Sequence, residues 1–310
     1  MKYIINYSGG FSHLDDNINR NITNYLGGSL NLHDNKIVKL FTMVKDEDDI
    51  VEDWLIYHGK LFGYNNLYII DNYSSDNTYK ILQKYEKEKG INLYREKDYK
   101  KKGEYMTNLI NSASNYDIAY PIDIDEFITY YDKGDNTISS DKVNSYLNSL
   151  QLNNEVFKTQ YVNSLIDKSH PNGYERATRE CKLGEYTKYD RHGKTFLNKK
   201  LWKGQLDHGN HYPTDNYKMS DLVLIHYHKR NYEQLGKKTL NNVVGLGYDP
   251  NNLEQLKQLL KSGCAGHHHV KRRIDILNGN FLKESLVDEN IKSRKNLVDL
   301  SPFINFLDKI

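Results

Sequence analysis

The sequence predicts an α/β fold in which a mixed, mostly parallel sheet carries helices on both faces. Three observations support this prediction. Short apolar segments with β-branched residues occur at 37–44, 66–71, 91–95 and 117–122. Each of the first three is followed by a segment of helical periodicity, and parallel strands need such crossover helices. The chain has 310 residues, and a chain of this length buries about 75% of its unfolded surface, which is enough for a large core.

The first strand and the first helix have the strongest sequence signals. Residues 37–44 are mostly apolar, as expected of a buried strand. Asp46 is placed to cap the helix that follows, and Gly63 is placed to end it. The apolar positions of this helix recur every three or four residues: Ile50, Val51, Trp54, Leu55, His58, Leu61 and Phe62. These features predict one strand followed by one amphipathic helix.

The later elements keep this alternation and then lose it. The predicted strands are 66–71, 91–95, 117–122, 156–162 and 222–228, and the predicted helices are 78–89, 103–115, 141–150, 231–240, 252–261 and 270–278. Residues 163–220 are largely polar and show no clear pattern. We expect an N-terminal extension over 1–36, a main domain over 37–232, and a helical C-terminal segment over 233–310 that packs on the main domain.

Composition and charge exclude several classes of protein. Lys and Arg number 43 against 41 acidic residues, so no strong field attracts nucleic acid or an anionic membrane. No apolar segment approaches the roughly 18 residues that span a bilayer, and the first residues do not form a signal peptide. Cys181 and Cys264 are too far apart in sequence to form a CxxC site. We therefore expect a cytoplasmic protein with no nucleic-acid partner and no membrane span.

A pair of carboxylates at a strand end is the best chemical signal. The apolar strand at 117–122 leads directly into Asp123, Asp125 and Glu126. Alternate residues of an extended chain point the same way, so Asp123 and Asp125 can converge. Carboxylates at the carboxyl end of a strand lie where α/β proteins bind ligands. The pair suits Mg²⁺ or Mn²⁺, which in turn can hold a diphosphate.

Two further polar segments follow strands and are expected at the same edge. Asp71 ends the strand at 66–71, and Asp76 lies in the turn before the next helix. Taken alone, this segment is typical of a capped turn with a purely structural role. Lys45 and Glu47 follow the first strand directly.

These segments, in this order and spacing, resemble the nucleotide-sugar glycosyltransferases of the GT-A fold, in the branch similar to families 2 and 92. The residues that carry the resemblance are Lys45, Asp46 and Glu47; Asp53, Trp54 and His58; Asp71, Asn72, Ser74 and Asp76; and Asp123, Asp125, Glu126 and Phe127. Asp46 stands where the branch usually has Asn, and Asp53 where it has Glu. The resemblance covers roughly residues 37–240.

The resemblance implies transfer of a hexose from a UDP-sugar to an acceptor hydroxyl on a glycan or a protein. It implies Mn²⁺ or Mg²⁺ as cofactor, with Asp123, Asp125 and His226 as the metal ligands. The residues implied for the nucleotide sugar are Thr42, Lys45, Glu47, Asp71, Asn72, Asp76, Lys102, Asp123, Lys194 and Lys237. An inverting mechanism is expected by analogy with the family.

Inversion needs a base that removes the proton of the acceptor hydroxyl. Candidates between the acid pair and His226 are Asp167, Glu180, Asp207 and Asp215. Asp207 is the predicted catalytic residue because His208 and His211 lie beside it. An exposed loop acid without a catalytic role is the alternative for this position.

Two other functional classes remain open at this point. Residues His208, His211, His226, His228 and the run from His267 to His269 are possible ligands of iron or zinc. An oxygenase of that kind would need a His-x-Asp pair on a barrel strand, and none of these histidines has an Asp two residues later. A non-catalytic binding protein with the same fold is the second alternative, against which the intact acid pair argues.

Overall fold

The computed structural model describes residues 35–153, 155–188, 193–202, 204–207, 209–212, 214–263, 266–280 and 286–310. Most of the predicted extension at 1–36, as well as His208 and Cys264, therefore lies outside the described residues. The boundary predicted between 232 and 233 falls at the start of a helix, and the division into domains stays a prediction.

The described chain alternates strands and helices along its first third and mixes them afterwards. The strands are β1 (Val38–Val44), β2 (Leu67–Asp71), β3 (Asn92–Arg95), β4 (Ile118–Pro121), β5 (Glu126–Asp132), β6 (Thr137–Ser139), β7 (Val156–Ser164), β8 (Leu183–Thr187), β9 (Thr195–Asn198), β10 (Lys218–His226) and β11 (Leu297–Asp299). The helices are α1 (Val51–Phe62), α2 (Thr78–Lys89), α3 (Lys102–Ser112), α4 (Lys142–Ser149), α5 (Ala177–Glu180), α6 (Tyr232–Gly245), α7 (Leu253–Ser262), α8 (His267–Leu277) and α9 (Ser301–Asp308).

The strands form one mixed sheet in the order β3-β2-β1-β4-β9-β7-β10-β5-β6, with β8 beside β7 and β11 beside β8. β3, β2, β1 and β4 are parallel neighbours. β9 runs antiparallel to both β4 and β7, and β10 runs parallel to β7. Strands β1, β4, β7 and β10 therefore share one direction, and their carboxyl ends lie at one edge of the sheet. The predicted α/β fold with a mixed sheet is confirmed.

Helices cover both faces of the sheet because alternate strand residues point in opposite directions. In β1, Leu40 packs in the larger core cluster with Trp54 of α1 and Leu82 of α2. Its neighbour Phe41 packs on the other face with Met106 of α3. Both faces of β1 are thus buried, which explains its continuous apolar sequence.

The C-terminal helices pack in two separate places. α6, α7 and α8 share a small core of Val243, Leu256, Val270 and Ile274. The final helix α9 instead places Phe303 in the main core, with its ring centroid 5.0 Å from that of Tyr57 in α1. Within the described ranges, no helix is both long and apolar enough to cross a membrane.

One sequence prediction about secondary structure is wrong, and strands β5, β6, β8 and β9 were not predicted. Asp46 does not cap α1: the cap residue is Ile50 with no side-chain bond, and Asp46 Oδ1 accepts a hydrogen bond from Ser75 N at 2.6 Å. The residues after the acid pair form β5 and β6, for which the sequence shows no clear signal. The polar stretch contains β8 and β9, which pair with β7 and are stabilised by sheet hydrogen bonds rather than by an apolar sequence pattern.

Candidate active site

A cavity of about 970 Å³ lies at the edge where β1, β4, β7 and β10 end. Its wall includes Val44 at the end of β1 and Lys45 after it, the turn from Asp123 to Glu126 after β4, and Ser164 of β7. Side chains of α6 and α8 complete the wall on the other side: Lys238, Asn241, Asn242, His268, His269 and Arg272. The position agrees with the general rule that open α/β sheets bind ligands at the carboxyl ends of their strands.

Asp123 is held by basic and amide side chains. Its Oδ1 accepts from Lys102 Nζ at 2.9 Å and from Asn210 Nδ2 at 2.7 Å, and its Oδ2 accepts from Lys194 Nζ at 2.8 Å. Burial alone would raise the pKa of Asp123, but the two lysines outweigh burial and hold the pKa below its ordinary value. Asp123 is therefore an ionised carboxylate that pairs with both lysines inside the cavity wall.

Asp125 lies instead in a group with two imidazoles. Ligand atoms of Asp125, His226 and His228 all lie within 4.8 Å of one another. Asp125 Oδ2 is 3.5 Å from His226 Nε2 and also accepts a hydrogen bond from Lys238 Nζ. Burial would raise the pKa of Asp125, but Lys238 and His226 hold it well below the ordinary value. The structure thus brings two of the three predicted metal ligands together, adds His228, and places Asp123 with lysines.

The register of β5 and β10 explains how this group forms. The two strands are antiparallel, with His226 opposite Glu126, so His226 lies next to the turn that carries Asp125. His228 follows two residues after His226. Burial, followed by the charge of Lys238, holds the pKa of His228 well below its ordinary value, so its imidazole is neutral. A neutral imidazole is the form that binds metal ions.

Two motif residues of α1 form hydrogen bonds with the backbone of β5, directly after this turn. Trp54 Nε1 donates to Glu126 O at 3.1 Å, and His58 Nε2 accepts from Ile128 N at 3.3 Å. Burial lowers the pKa of His58 to about 3, so the ring is neutral and able to accept. Asp53, also on α1, accepts from Arg179 Nη2 at 2.8 Å. These residues fix the start of β5 and the neighbouring chain, and do not line the cavity.

Helix α6 is tied to the loop after β1 by a buried polar network. Arg230, at its amino-terminal end, contacts Glu47 Oε2 and donates to Asp49 Oδ2 at 2.7 Å. Gln234 Nε2 donates to Glu47 Oε2 at 2.9 Å. Burial raises the pKa of Glu47, and Arg230 opposes this effect. The network places the next turn of α6, with Lys238, directly over Asp125.

Only some of the residues predicted to bind the nucleotide sugar line the cavity. Lys45, Glu47, Lys102, Asp123 and Lys194 do so. The described lining does not include Thr42, Asp71, Asn72, Asp76 or Lys237.

Thr42 and Asp71 lie in strands, Asn72 and Asp76 in the turn after β2, and Lys237 in α6. Asp71 Oδ2 accepts from Arg95 Nε at 2.9 Å, and Asn72 Nδ2 donates to Glu96 O at 2.7 Å. Lys237 Nζ donates to Asp76 Oδ2 at 3.1 Å, which joins α6 to the turn before α2. Thr42 is fully buried in β1. The contacts of Asp71, Asn72, Asp76 and Lys237 are thus with protein groups outside the cavity lining.

Asp207, the predicted catalytic residue, contacts the cavity through a neighbour. Its side chain is 60% exposed, and its Oδ2 is 3.0 Å from His211 Nδ1. Burial would raise its pKa, but hydrogen bonds from His211 and Gly209 lower the pKa to about 2. His211, unlike Asp207, lines the cavity. A side chain at Gly209 would place its Cβ 2.3 Å from His211 Cε1, so only glycine leaves room for this ring position.

Several cavity residues were missed by sequence reasoning, above all Lys238 and Arg272, whereas His228 and His269 were considered only as possible ligands of iron or zinc. One signal for Lys238 was available. Gln234, Lys238 and Asn241 are spaced i, i+4 and i+7 and share one face of α6, and they contact Glu47, Asp125 and Asp46 respectively. The histidines and arginine of α8 gave no comparable signal, because nothing in the local sequence shows which strand end that helix approaches.

No protein-family model matches the chain, and no curated protein matches it in sequence. Among solved structures, it is similar to S. aureus TarS 1-349 in complex with UDP-GlcNAc, with 11% identity, a TM-score of 0.35, and coverage of 87% of this chain and 79% of that one. It is also similar to glucosyl-3-phosphoglycerate synthase from Mycobacterium tuberculosis in complex with Mn²⁺, UDP and glucosyl-3-phosphoglycerate, with 15% identity, a TM-score of 0.28, and coverage of 41% and 44%. A third similar structure is the galactosyltransferase LgtC in complex with donor and acceptor sugar analogues. The identity is 13% and the TM-score is 0.25, and the match covers 53% of this chain and 59% of that one. TM-scores of this size mark a distant likeness and do not carry a function over to this chain.

Proposed function

We propose that the chain is a metal-dependent glycosyltransferase of the GT-A type, which moves a hexose from a UDP-hexose to an acceptor hydroxyl on a glycan or a protein. One observation supports this proposal more than any other. A carboxylate and two imidazoles lie together beside Lys238, at the strand ends, in a cavity large enough for a nucleotide sugar. That combination suits a divalent ion and an anionic diphosphate in one place.

The residues present fit a divalent metal ion. Asp125, His226 and His228 would hold it, since their ligand atoms already lie within 4.8 Å of one another. Between Mn²⁺ and Mg²⁺ the two imidazoles favour Mn²⁺, because Mg²⁺ prefers an all-oxygen shell. When bound, the ion supplies positive charge that stabilises the diphosphate leaving group.

Asp123, Lys102 and Lys194 form a second part of the donor site in this proposal. The carboxylate keeps both ammonium groups in fixed positions, at 2.9 Å and 2.8 Å. Fixed positive groups that face developing negative charge lower a barrier more than mobile ones, because they need no reorganisation during the reaction. Lys45 and Glu47 border the same cavity at the end of β1.

The acceptor proton is assigned to His211, with Asp207 as its positioning residue. A carboxylate only accepts hydrogen bonds, so Nδ1 of His211 carries the proton in the contact with Asp207, and Nε2 is the nitrogen able to take another. The acceptor oxygen attacks the anomeric carbon of the sugar while its proton passes to Nε2. The bond from that carbon to the phosphate oxygen breaks, and UDP leaves. Asp207 itself, with a pKa of about 2, is too weak a base for this role.

A panel of nucleotide sugars tests the proposal. Each sugar is incubated with the protein and Mn²⁺, and release of nucleoside diphosphate is measured together with the thermal shift. We expect both signals for a uridine donor. Binding with no release under any condition would favour the non-catalytic alternative, and neither signal from any nucleotide sugar would contradict the proposed function.

Donor binding should depend on divalent metal. In calorimetric titrations, UDP is expected to bind at least about 10-fold more tightly with Mn²⁺ than with excess EDTA, because the ion offsets the mutual repulsion of the diphosphate and Asp125. Equal affinities in the two buffers would contradict metal dependence. Fe²⁺ is included as a third condition, since two imidazoles and one carboxylate also suit iron. Iron binding that does not support UDP binding would favour an oxidative function.

His226 and His228 should both contribute to metal affinity. His226→Ala and His228→Ala are each expected to weaken Mn²⁺ binding by about 10-fold or more, a loss that even indirect ligand partners can cause. His267→Ala is the matched control, because His267 is exposed on α8 and does not line the cavity. Calorimetry with Mn²⁺ alone measures all three. Unchanged affinity in His226→Ala with a normal melting curve would make His226 a structural residue.

A further inference from the structure

Helix α8 covers part of the cavity with a group of nitrogen-bearing side chains. His268, His269 and Arg272 all line the cavity. On the other side of the same helix, Val270 and Ile274 pack in the small core with α6 and α7. The helix is therefore anchored by its apolar side, and its polar side is held toward the strand ends.

Two buried nitrogen atoms of this group lack a hydrogen-bond partner within the described parts of the chain. They are Nδ1 of His269 and Nη1 of Arg272. His269 is only 9% exposed. Among the described residues, no acid forms an ion pair with Arg272, and burial lowers its pKa.

Without a ligand, these unpartnered buried nitrogen atoms lower the stability of the folded protein. A guanidinium nitrogen that is buried without a hydrogen-bond partner or a counter-charge loses its hydration without compensation. Arg230, which is only 2% exposed, shows the usual solution in this protein, since it contacts both Glu47 and Asp49. The missing counter-charge at Arg272 is therefore best explained by an anion that enters the cavity.

The surroundings indicate which anion. Lys238 lines the cavity beside α8, and the ring of His228 lies 6.4 Å from that of His269. A guanidinium next to an ammonium and imidazole groups suits the several oxygens of a phosphate group, which accept several hydrogen bonds at once.

We propose that Arg272 and His269 form a phosphate-binding subsite of the cavity. Arg272 donates to the phosphate oxygens through its guanidinium, and His269 donates through its buried Nδ1. The phosphate is either the terminal phosphate of the UDP donor or one carried by the second substrate. The first alternative rests on the proposed function, and the second does not.

Calorimetric titrations of the full chain test the subsite. Pyrophosphate is titrated in EDTA, so that no metal contributes, and UDP and UMP are titrated at saturating Mn²⁺. The variants are Arg272→Gln and Arg272→Lys. Lys271→Gln is the matched control, because it removes one positive charge from an exposed position of the same helix.

We expect pyrophosphate to bind Arg272→Gln at least about 10-fold more weakly than wild type, which corresponds to about 1.4 kcal/mol. Lys271→Gln should bind as wild type does, and Arg272→Lys should lie in between because it keeps the charge but not the planar fork. Without ligand, Arg272→Gln should melt no lower than wild type, since it removes a partly buried charge that forms no ion pair with any described residue.

The nucleotide titrations identify the source of the phosphate. A loss for UDP but not for UMP assigns the subsite to the terminal phosphate of the donor. A loss for pyrophosphate with unchanged UDP affinity assigns it to the second substrate. If wild type binds pyrophosphate but not UDP, the proposed function fails while the subsite stands. Equal pyrophosphate affinity in wild type and Arg272→Gln, or no pyrophosphate binding by wild type, would overturn the subsite.

Discussion

Asp125→Asn should lower turnover of the donor by about 10³-fold at saturating Mn²⁺. The substitution keeps the shape of the side chain and removes its charge, so the metal loses its only carboxylate ligand within the group of Asp125, His226 and His228. Loss of charge stabilisation at the leaving group is expected to cost several kcal/mol of transition-state stabilisation. Release of UDP from the donor selected in the nucleotide-sugar panel measures the effect.

The same substitution should also lower the free energy of unfolding of the metal-free protein. A cluster of isolated carboxylates would repel itself, so its loss would not destabilise the metal-free protein. In the structure, however, Asp125 pairs with Lys238, and the two side chains are only 3% and 17% exposed. Breaking a buried pair costs about 3–5 kcal/mol. We expect the lower end of that range, because Glu47 also contributes a favourable charge to Lys238.

A double variant separates the two effects of Asp125→Asn. Adding Lys238→Met removes the unpaired ammonium and should restore most of the lost free energy of unfolding, measured by denaturant titration in EDTA. Activity should not return, since the metal ligand is still absent. Activity of the single variant within a factor of about ten of wild type would show that Asp125 does not hold the catalytic metal.

His211→Gln should lower transfer by about 10²- to 10⁴-fold, the usual contribution of a general base. Asp207→Asn should cause a smaller loss, because it leaves the imidazole in place but removes the carboxylate that orients it. Neither change should weaken UDP binding, since neither residue is assigned to the donor. The measurement is the rate of UDP release with and without acceptor, together with calorimetric UDP affinity.

Asp215→Asn is the control for this prediction. Asp215 was another candidate base in the sequence, but it is exposed and does not line the cavity. A loss in Asp215→Asn as large as that in His211→Gln would point to a general effect on the loop. A normal rate in His211→Gln would return the choice of base to the carboxylates of the cavity wall, of which Glu126 has a raised pKa caused by burial.

Most of the N-terminal half could be predicted from sequence because its signals are local. β1, β2 and β4 are buried on both faces, and their sequences are therefore continuous apolar segments. The position of Asp125 followed from the strand before it, and that of His226 from the strand it ends. The missed strands β8 and β9 are short and partly polar, and only their pairing with β7 defines them.

The local sequence does not decide which of Lys237 and Lys238 enters the cavity. Both lie on α6, and sequence favoured Lys237 for the donor. The structure pairs Lys237 with Asp76 in a loop and directs Lys238 to Asp125. Two neighbouring helical residues differ by about 100° in direction, so the rotation of α6 about its axis decides which one enters the cavity. That rotation is fixed by Arg230 and Gln234 against Glu47, contacts that are more than 180 residues apart in sequence.

The sequence by itself determined the α/β alternation, the edge of the sheet at which the site lies, and the acid and histidine that end two of its strands. These features depend on periodicity and on the direction of the chain, which neighbouring residues set. Only the tertiary structure decided that Asp123 pairs with two lysines and that His228 joins Asp125 and His226. It also decided that α8 brings His269 and Arg272 to the same cavity. These contacts join elements that are distant in sequence, and the packing of the C-terminal helices against the sheet edge produces them.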